Sequence, residues 1–267
     1  MISASAYRVA EWLERRLPRV WTRRLAVLLA RAAFAAHVPA RRALERNLAT
    51  LMPERARASA AGRHAFEQFA HAFVEFLALE RMSQRVLTEA VEVCGLEHLQ
   101  AARASRRGVI LLSAHFGNWE WGAAALASRG LHLHLAARRH ASRTVEAMYE
   151  RRRGAFGLAR LSGPRLWPDA ARVLRERGWL ALMGDRGTPG ARCAVCVWAA
   201  ALARRTGALL LPAVTVRTDE GRYVLIVEPE ISPEACAAGA FQEFLKRQLE
   251  RHPGQWCAFE SAAGALA

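Results

Sequence analysis

Two side chains capable of acid–base chemistry, His115 and Glu120, lie close together in a short polar stretch of this sequence. The stretch follows an apolar run of strand length, 108–114, and precedes an alanine-rich run of helix length that stops at Gly130. On one continuous helix, side chains five positions apart would point about 140° away from each other. A strand-to-helix turn removes this obstacle, so a contact between His115 and Glu120 becomes a reasonable expectation.

The residues between them suit such a turn. Gly117 permits a tight bend, and Asn118 is a good N-cap for the helix that follows. Because α/β folds place their sites at the carboxyl ends of parallel strands, a site is expected here. A carboxylate bonded to one imidazole nitrogen leaves the other nitrogen to take a proton from a hydroxyl. The same residues also fit an ordinary helix start, with Glu120 favouring the amino end of the helix.

Other common catalytic arrangements are missing from the sequence. It contains no G-x-S-x-G elbow, no phosphate-binding loop and no dinucleotide-binding glycine motif. Ser113 precedes His115 by two positions, so a serine nucleophile paired with this histidine stays an alternative. Among the five cysteines, Cys193 and Cys196 form a C-x-x-C pair within an apolar stretch. We expect buried thiols there and no disulfide framework or metal site, with metal or redox use of the pair as the alternative.

The composition predicts a globular protein with a strongly basic surface. The chain has 267 residues, of which 52% are hydrophobic and 24% charged. Its net charge is +15, carried by arginine, because Lys246 is the only lysine. Such a charge attracts anionic partners such as phospholipid headgroups, nucleic acid or an acidic carrier protein. No recognised nucleic-acid-binding module is present and the aromatic residues fit a core, so we expect no nucleic-acid partner.

The amino-terminal part, residues 1–90, is predicted to be helical, with two of its helices at 40–50 and 58–80. Its best membrane candidate, 25–36, is shorter than the ~20 apolar residues that a transmembrane helix needs, and Arg31 interrupts it. Basic and aromatic residues lie nearby: Arg15, Arg16, Arg19, Arg23, Arg24, Trp12 and Trp21. This pattern predicts an amphipathic helix on an anionic membrane surface, or a surface helix packed on its own domain.

From Val91 onward, strand and helix patterns alternate, which predicts an α/β fold with a mostly parallel central sheet flanked by helices. The predicted strands are 91–95, 109–113, 131–136, 179–183, 209–216 and 223–227, the last two forming a hairpin. The predicted helices are 119–129, 142–156, 168–177, 199–205 and 241–251. We therefore expect an amino-terminal helical, membrane-associating region at 1–90 and an α/β core at 91–267, in one continuous structural unit.

Several short motifs, taken in order, resemble those of one enzyme family. The stretch A-H-F-G-N-W-E at 114–120 resembles the H-x-x-x-x-D/E motif of the bacterial lipid A late acyltransferases, the lauroyl and myristoyl transferases. These enzymes are related to the mycobacterial phosphatidylinositol mannoside acyltransferases and to the wider glycerolipid acyltransferases. Further blocks are similar in the same order: E-R-N-L-A-T-L-M-P-E at 45–54, G-D-R-G at 184–187, L-A-R-R-T-G-A at 202–208 and H-P-G-Q-W at 252–256. The resemblance covers most of the chain.

The resemblance implies roles for the residues of the opening motif. His115 would be the general base on an acceptor hydroxyl, and Glu120 would orient the imidazole. The hydroxyl would attack an acyl thioester directly, with no covalent acyl-enzyme. Backbone N–H groups near Gly117 and Asn118, or an arginine, would stabilise the oxyanion that forms.

The resemblance also implies a set of substrate-binding residues outside that motif. Two arginine pairs would bind phosphate on the acceptor or on the phosphopantetheine of the donor: Arg138, Arg139, Arg152 and Arg153. Each of these arginines also fits a solvated surface. Asp185 and Arg186 are further candidates, although Asp185 alternatively caps the turn that follows it. This chain departs from the family between Asp185 and Leu202, where its segment is shorter and lacks the F-F-G-type block of the relatives.

The resemblance therefore implies a membrane-associated O-acyltransferase on the cytoplasmic face of a bacterial inner membrane, attached peripherally or monotopically. It would move a fatty acyl group from acyl carrier protein or coenzyme A to a hydroxyl of a lipid A-like, glycolipid or lysophospholipid acceptor. The acyl thioester would be a co-substrate, and no cofactor is expected. Two alternatives stay open: an acyl-thioester hydrolase that uses the same dyad on water, and a degenerate, non-catalytic protein that binds lipid or carrier protein.

Overall fold

The amino-terminal part of the molecule is helical. The computed structural model describes residues 4–49, 52, 54–185 and 193–260. The first five helices are α1 (Ala4–Arg16), α2 (Arg19–Ala35), α3 (Pro39–Ala49), α4 (Arg55–Ala78) and α5 (Gln84–Ala90). A 3₁₀ turn, Leu79–Arg81, follows α4 directly. The helices predicted at 40–50 and 58–80 are thus found as α3 and α4. The region 1–90 was predicted to be helical without bounds for its other helices, and these are α1, α2 and α5.

Seven strands and seven further helices make up the rest of the described chain. The strands are β1 (Val91–Cys94), β2 (Val109–Ser113), β3 (Leu133–Ala136), β4 (Ala159–Leu161), β5 (Trp179–Met183), β6 (Leu209–Arg217) and β7 (Tyr223–Val227). The helices are α6 (Leu96–Ala104), α7 (Trp119–Ser128), α8 (Arg143–Gly154), α9 (Leu166–Arg175), α10 (Ala194–Thr206), α11 (Pro233–Ala238) and α12 (Ala240–Arg251).

The strands form one sheet in the order β1-β7-β6-β2-β5-β3-β4. Across the described residues, neighbouring strands run parallel in every pair except β6–β7, which is the predicted antiparallel hairpin. The prediction of an α/β fold with a mostly parallel sheet is therefore confirmed. This strand order matters for the site, because it makes β2 and β5 neighbours although β3 and β4 separate them in the chain.

The central strand β2 is buried on both faces, as expected for a parallel strand between two layers of helices. Ile110 and Leu112 face a core layer that includes Phe66 of α4, together with residues of α2, α3, α10 and α12. Val109 and Leu111 face the opposite layer, which includes residues of α5, α6, α7 and α8. The alternation follows from the two-residue period of a strand. Helices α2–α4 thus share a core layer with the sheet.

Three differences from the predicted elements have simple local causes. Strand β4, which was not predicted, has only three residues and lies at the sheet edge. Helix α10 begins at Ala194, five residues before the predicted start, because the Cys193 side chain caps it by accepting a hydrogen bond from the Cys196 N–H. Helix α6 was also missed, since it directly follows β1 after Gly95, which has a left-handed φ of +85°.

Helices α1 and α2 leave large apolar side chains exposed on the surface. The exposed residues on these helices and the turn between them are Val9, Trp12, Leu17, Val20, Trp21, Leu28 and Leu29. Within the described ranges, no helix combines the length and apolar character needed to span a bilayer.

Candidate active site

The sheet places His115 and Asp185 side by side. Strand β2 ends at Ser113 and β5 ends at Met183, and these two residues are register partners. The Gly184 N–H donates to the Ser113 carbonyl oxygen at 2.7 Å, which extends the pairing beyond both strand ends. His115 and Asp185 each follow two residues after their strand, so equal steps bring their side chains together at the carboxyl edge of the sheet.

Asp185 accepts three kinds of hydrogen bond at this edge. Its Oδ1 lies 3.0 Å from His115 Nδ1, and its Oδ2 accepts the His115 backbone N–H at 2.9 Å. Trp256 Nε1–H donates to the same Oδ2 at 2.9 Å. The Asp185 side chain is 1% exposed, whereas the His115 side chain is 21% exposed. An ionised carboxylate only accepts, so Nδ1 carries the proton and Nε2 is left as the acceptor.

The surroundings of Asp185 favour its charged form. Burial on its own would raise the pKa of this carboxyl group. The charge of His115 and the hydrogen bonds from His115 and Trp256 outweigh burial, so the pKa of Asp185 lies below its ordinary value. A fixed anion on Nδ1 holds the tautomer of His115 and stabilises the imidazolium that forms when Nε2 takes a proton.

Glu120 binds an arginine and does not contact His115 in the described structure. Its Oε1 accepts Arg153 Nη2 at 2.5 Å, and its Oε2 accepts Arg153 Nε at 3.1 Å. Both side chains are largely buried, at 8% and 13% exposure. The predicted His115–Glu120 contact is therefore wrong. The two side chains do not meet because Glu120 is the second residue of α7 and points towards α8, while His115 stays on the extension of β2 beside β5.

The turn between β2 and α7 requires its glycine. Gly117 has a φ of +56°, and a Cβ at this position would lie 2.0 Å from the Thr215 carbonyl oxygen. The Gly117 N–H donates to the Gln255 carbonyl oxygen at 2.8 Å, so it is not the oxyanion donor that the resemblance implied. Asn118 caps α7 by accepting the Trp121 N–H at 3.2 Å, as predicted. Because Asn118 is 1% exposed, its side chain is structural and does not face a substrate.

The H-P-G-Q-W stretch closes over this turn. Trp256 forms an isolated antiparallel bridge with Phe116, and the Cys257 N–H donates to the His115 carbonyl oxygen at 2.7 Å. Asn47, from the E-R-N-L block at 45–48, donates through Nδ2 to the carbonyl oxygens of Ala258 and Glu260 at 2.9 and 3.0 Å. Both blocks stand out in the sequence, but the only sequence signal for the Trp256–Asp185 hydrogen bond is the position of Trp256 in a motif that resembles the family's.

The four candidate arginines separate into two groups. Arg138 and Arg139 follow β3, the neighbour of β5, and both are exposed at the carboxyl edge of the sheet. Arg152 is fully buried and donates to the Leu77 carbonyl oxygen at 3.1 Å and to Glu11 Oε1 at 2.9 Å. Its guanidinium therefore has no face open to a substrate, contrary to the prediction.

Arg153 is also committed to protein, through its pair with Glu120, so it too does not fit the predicted phosphate contact. The remaining predicted site residue, Arg186, lies outside the described residues. No cluster of three or more His, Cys, Asp or Glu side chains suited to a metal ion occurs in the described ranges.

A second buried carboxylate lies behind the turn. Glu75 of α4 accepts Asn118 Nδ2 at 3.1 Å, Arg23 Nη2 at 2.9 Å and the hydroxyl of Tyr223. Burial raises the pKa of Glu75, and the hydrogen bond from Tyr223 and the charge of Arg23 offset this only in part. Glu75 thereby ties α2, α4 and β7 to the residue that caps α7.

The chain matches a model of a known protein family. A family model described as bacterial lipid A biosynthesis acyltransferase matches residues 2–261 of the chain. The match includes His115, Asp185 and Trp256, and it covers every element of the sheet. No curated protein matches the chain in sequence.

Proposed function

The chain belongs to the family of bacterial lipid A biosynthesis acyltransferases, and from this membership we propose that it transfers a fatty acyl group from a thioester donor to a lipid or glycolipid hydroxyl, with a His115–Asp185 pair as the base. The observation that carries the proposal is the hydrogen bond from His115 Nδ1 to a buried, ionised Asp185. This bond leaves Nε2 as a proton acceptor on a side chain that is 21% exposed.

In the proposed reaction, Nε2 of His115 takes the proton from the acceptor hydroxyl while its oxygen attacks the thioester carbonyl carbon. The tetrahedral intermediate then collapses, the C–S bond breaks, and the departing thiolate takes the proton from the imidazolium. Asp185 stays ionised throughout and stabilises the imidazolium. No protein nucleophile is needed, because the acceptor supplies the attacking oxygen.

Glu120 takes a positioning role in this proposal. Its two hydrogen bonds to Arg153 join α7 to α8 next to the site turn. Since α7 starts at Trp119, whose ring contacts the His115 ring edge-to-face at 5.0 Å between centroids, a shift of α7 moves a neighbour of the base. Arg138 and Arg139 are exposed at the same edge and are our candidates for binding donor or acceptor phosphate.

We further propose that the exposed face of α1 and α2 rests on an anionic bilayer at the cytoplasmic side of the inner membrane. Trp12 and Trp21 are 56% and 57% exposed, and Leu28 and Leu29 are 63% and 60% exposed. The Arg24 guanidinium lies 5.3 Å from the centroid of the Trp21 ring. Exposed indoles and leucines beside arginines are suited to the boundary between acyl chains and headgroups.

The transfer reaction is tested with purified protein, a fatty acyl thioester of acyl carrier protein or coenzyme A, and lipid extracts with free hydroxyls. We expect thiol release to depend on the acceptor, and mass spectrometry to show an acylated lipid. Equal thiol release without acceptor, with free fatty acid as the product, would identify a hydrolase instead. Lipids from cells with and without the gene then name the acceptor and the acyl chain in one measurement.

The membrane face is tested by vesicle sedimentation. The wild type should bind vesicles that contain phosphatidylglycerol more tightly than vesicles of phosphatidylcholine alone. Replacing Leu28 and Leu29 by Glu should reduce binding to both, whereas a matched change at the exposed Val86 of α5 should not. Equal binding by all forms to both vesicles would contradict the proposed face.

A further inference from the structure

Two buried cysteines, Cys193 and Cys196, lie at the carbonyl oxygen of Gly184, the residue directly before Asp185, and a third, Cys236, lies next to Cys196. The Cys193 thiol donates to this oxygen at 3.1 Å, and the Cys196 sulfur lies 3.9 Å from the same atom. Cys236 of α11 donates to the Cys196 carbonyl oxygen at 3.5 Å. Two thiols of a C-x-x-C pair therefore meet at the backbone that positions the partner of His115.

The two thiols of this pair have different surroundings. Cys193 caps α10, and its sulfur accepts the Cys196 N–H at 3.4 Å. This places the first cysteine of a C-x-x-C pair at a helix amino end, where partial positive charge favours a thiolate. The hydrogen bond from Cys196 lowers the pKa of the Cys193 thiol below its ordinary value. The pKa of Cys196 is raised, first by that same bond.

We propose that Cys193 and Cys196 form a disulfide on exposure to hydroperoxides, and that this disulfide switches off the site by removing the thiol donor from Gly184. The inference about activity rests on the proposed function, whereas the inference about the disulfide does not.

The chemistry balances with a hydroperoxide as the oxidant. The Cys193 thiolate attacks the O–O bond, which breaks, and the leaving alkoxide takes up the proton that the thiol released. The resulting sulfenic acid is attacked by the sulfur of Cys196, and its hydroxyl group leaves as water with the Cys196 proton. Two thiols and one hydroperoxide thus give one disulfide, one alcohol and one water.

The disulfide would alter the site because the backbone at Gly184 is tightly packed and hydrogen-bonded. Its N–H is bonded to the Ser113 carbonyl oxygen, and a Cβ at this position would lie 2.8 Å from the Phe241 ring. Once the sulfurs are joined, neither carries a hydrogen, and the Gly184 carbonyl loses its donor in a buried place. The backbone at Gly184 then shifts until its carbonyl oxygen meets another hydrogen-bond donor. This shift displaces Asp185 relative to His115 Nδ1.

The test uses the full chain, reduced and then treated with hydrogen peroxide under native conditions. Thiols are blocked after denaturation, and peptides are mapped by mass spectrometry. We expect the Cys193–Cys196 peptide to lose two hydrogens, acyl transfer to fall about tenfold or more, and dithiothreitol to restore both. A disulfide through Cys236, or no disulfide at peroxide levels that oxidise the exposed Cys94, overturns the proposal.

Two variants separate the disulfide from other damage. Cys193→Ser with Cys196→Ser keeps a hydroxyl donor for Gly184 and should keep activity while becoming insensitive to peroxide. Cys94→Ser should stay as sensitive as the wild type. Persistent peroxide sensitivity in the double serine variant contradicts the switch.

Hydrogen exchange gives a readout that does not depend on catalysis. Oxidation should speed amide exchange at Gly184 and His115, whose N–H groups donate to Ser113 and Asp185. If the reduced protein transfers no acyl group, the proposed function fails, and the exchange and the mapped disulfide still decide the switch. Unchanged exchange in the oxidised protein overturns its effect on the site.

Discussion

Two buried carboxylates, Asp185 and Glu75, lie on either side of the turn that carries His115, and their pKa values are shifted in opposite directions. Their side chains are 1% and 3% exposed, and each accepts hydrogen bonds from three residues or groups around it. Yet the pKa of Asp185 is lowered and that of Glu75 is raised, in both cases against the same unfavourable effect of burial.

The difference lies in what faces each carboxylate. For Asp185, the largest effect that lowers the pKa is the charge of His115, held 3.0 Å away. For Glu75, it is a hydrogen bond from the neutral hydroxyl of Tyr223, with the charge of Arg23 next. Burial alone therefore does not set the direction in which the pKa of a carboxylate shifts. The distinction is that Asp185 faces an imidazole that can take up a proton, whereas Glu75 faces a guanidinium and neutral groups. Four predictions test this comparison.

The largest effect is expected for His115→Ala. Removing the imidazole removes the proton acceptor, so acyl transfer should fall by about 10²–10⁴-fold or more. The side chain is partly exposed, so the circular dichroism spectrum and thermal unfolding should change little. Activity close to that of the wild type would exclude His115 as the base.

The next largest loss is expected for Asp185→Asn. The amide is neutral and cannot stabilise an imidazolium, so kcat should fall by roughly 10²-fold with KM nearly unchanged. The matched control is Glu75→Gln, which removes the other buried charge and should lower kcat far less. An equal loss of kcat in both variants would remove the distinction between the two carboxylates.

A smaller loss of activity is expected for Glu120→Gln. The amide still accepts one hydrogen bond from Arg153, but the buried ion pair is lost. The free energy of unfolding should fall by about 1–3 kcal/mol, with a loss of kcat below about tenfold. Chemical denaturation and steady-state kinetics check the two effects. A loss of kcat greater than that of Asp185→Asn would favour a direct role for Glu120 in orienting His115.

The smallest effects concern the dependence of stability on pH. Since the pKa of Asp185 is lowered in the fold, its charge stabilises the protein above its ordinary value of 3.8, and this stabilisation is lost as the pH falls through the folded value. Since the pKa of Glu75 is raised, its contribution becomes less favourable as the pH rises above its ordinary value of 4.5.

Urea unfolding across this range should therefore show opposite trends. The stability advantage of the wild type over Asp185→Asn should shrink as the pH falls below about 4. Its advantage over Glu75→Gln should instead shrink as the pH rises from about 4 towards neutrality. Parallel trends in the two variants would contradict the opposite shifts in pKa.

Much of this architecture follows from local sequence patterns. The bounds of β2, β5 and β7 are those predicted, because continuous or alternating apolar runs define buried strands. The turn at Gly117 and the cap at Asn118 also follow from residue type. The position of His115 at a strand end was therefore predictable.

The partner of His115 depended on strand order, which local patterns do not contain. The sequence pattern places Asp185 directly after the predicted strand 179–183, but local patterns do not indicate that β5 lies next to β2. The burial of Arg152 was equally hidden, since its partners Leu77 and Glu11 come from helices distant in the chain. The residue type is the same for an exposed arginine and a buried one, so only the packing in the folded structure distinguishes them.

The closing of the turn by Trp256 also sets an order in time. His115 leaves the ribosome 141 residues before Trp256, which at roughly 5–20 residues per second is a delay on the order of ten seconds. During that interval the nascent chain contains His115 but not the indole that donates to Asp185. Asp185 therefore gains its last hydrogen-bond donor only after all seven strands of the sheet have been synthesised.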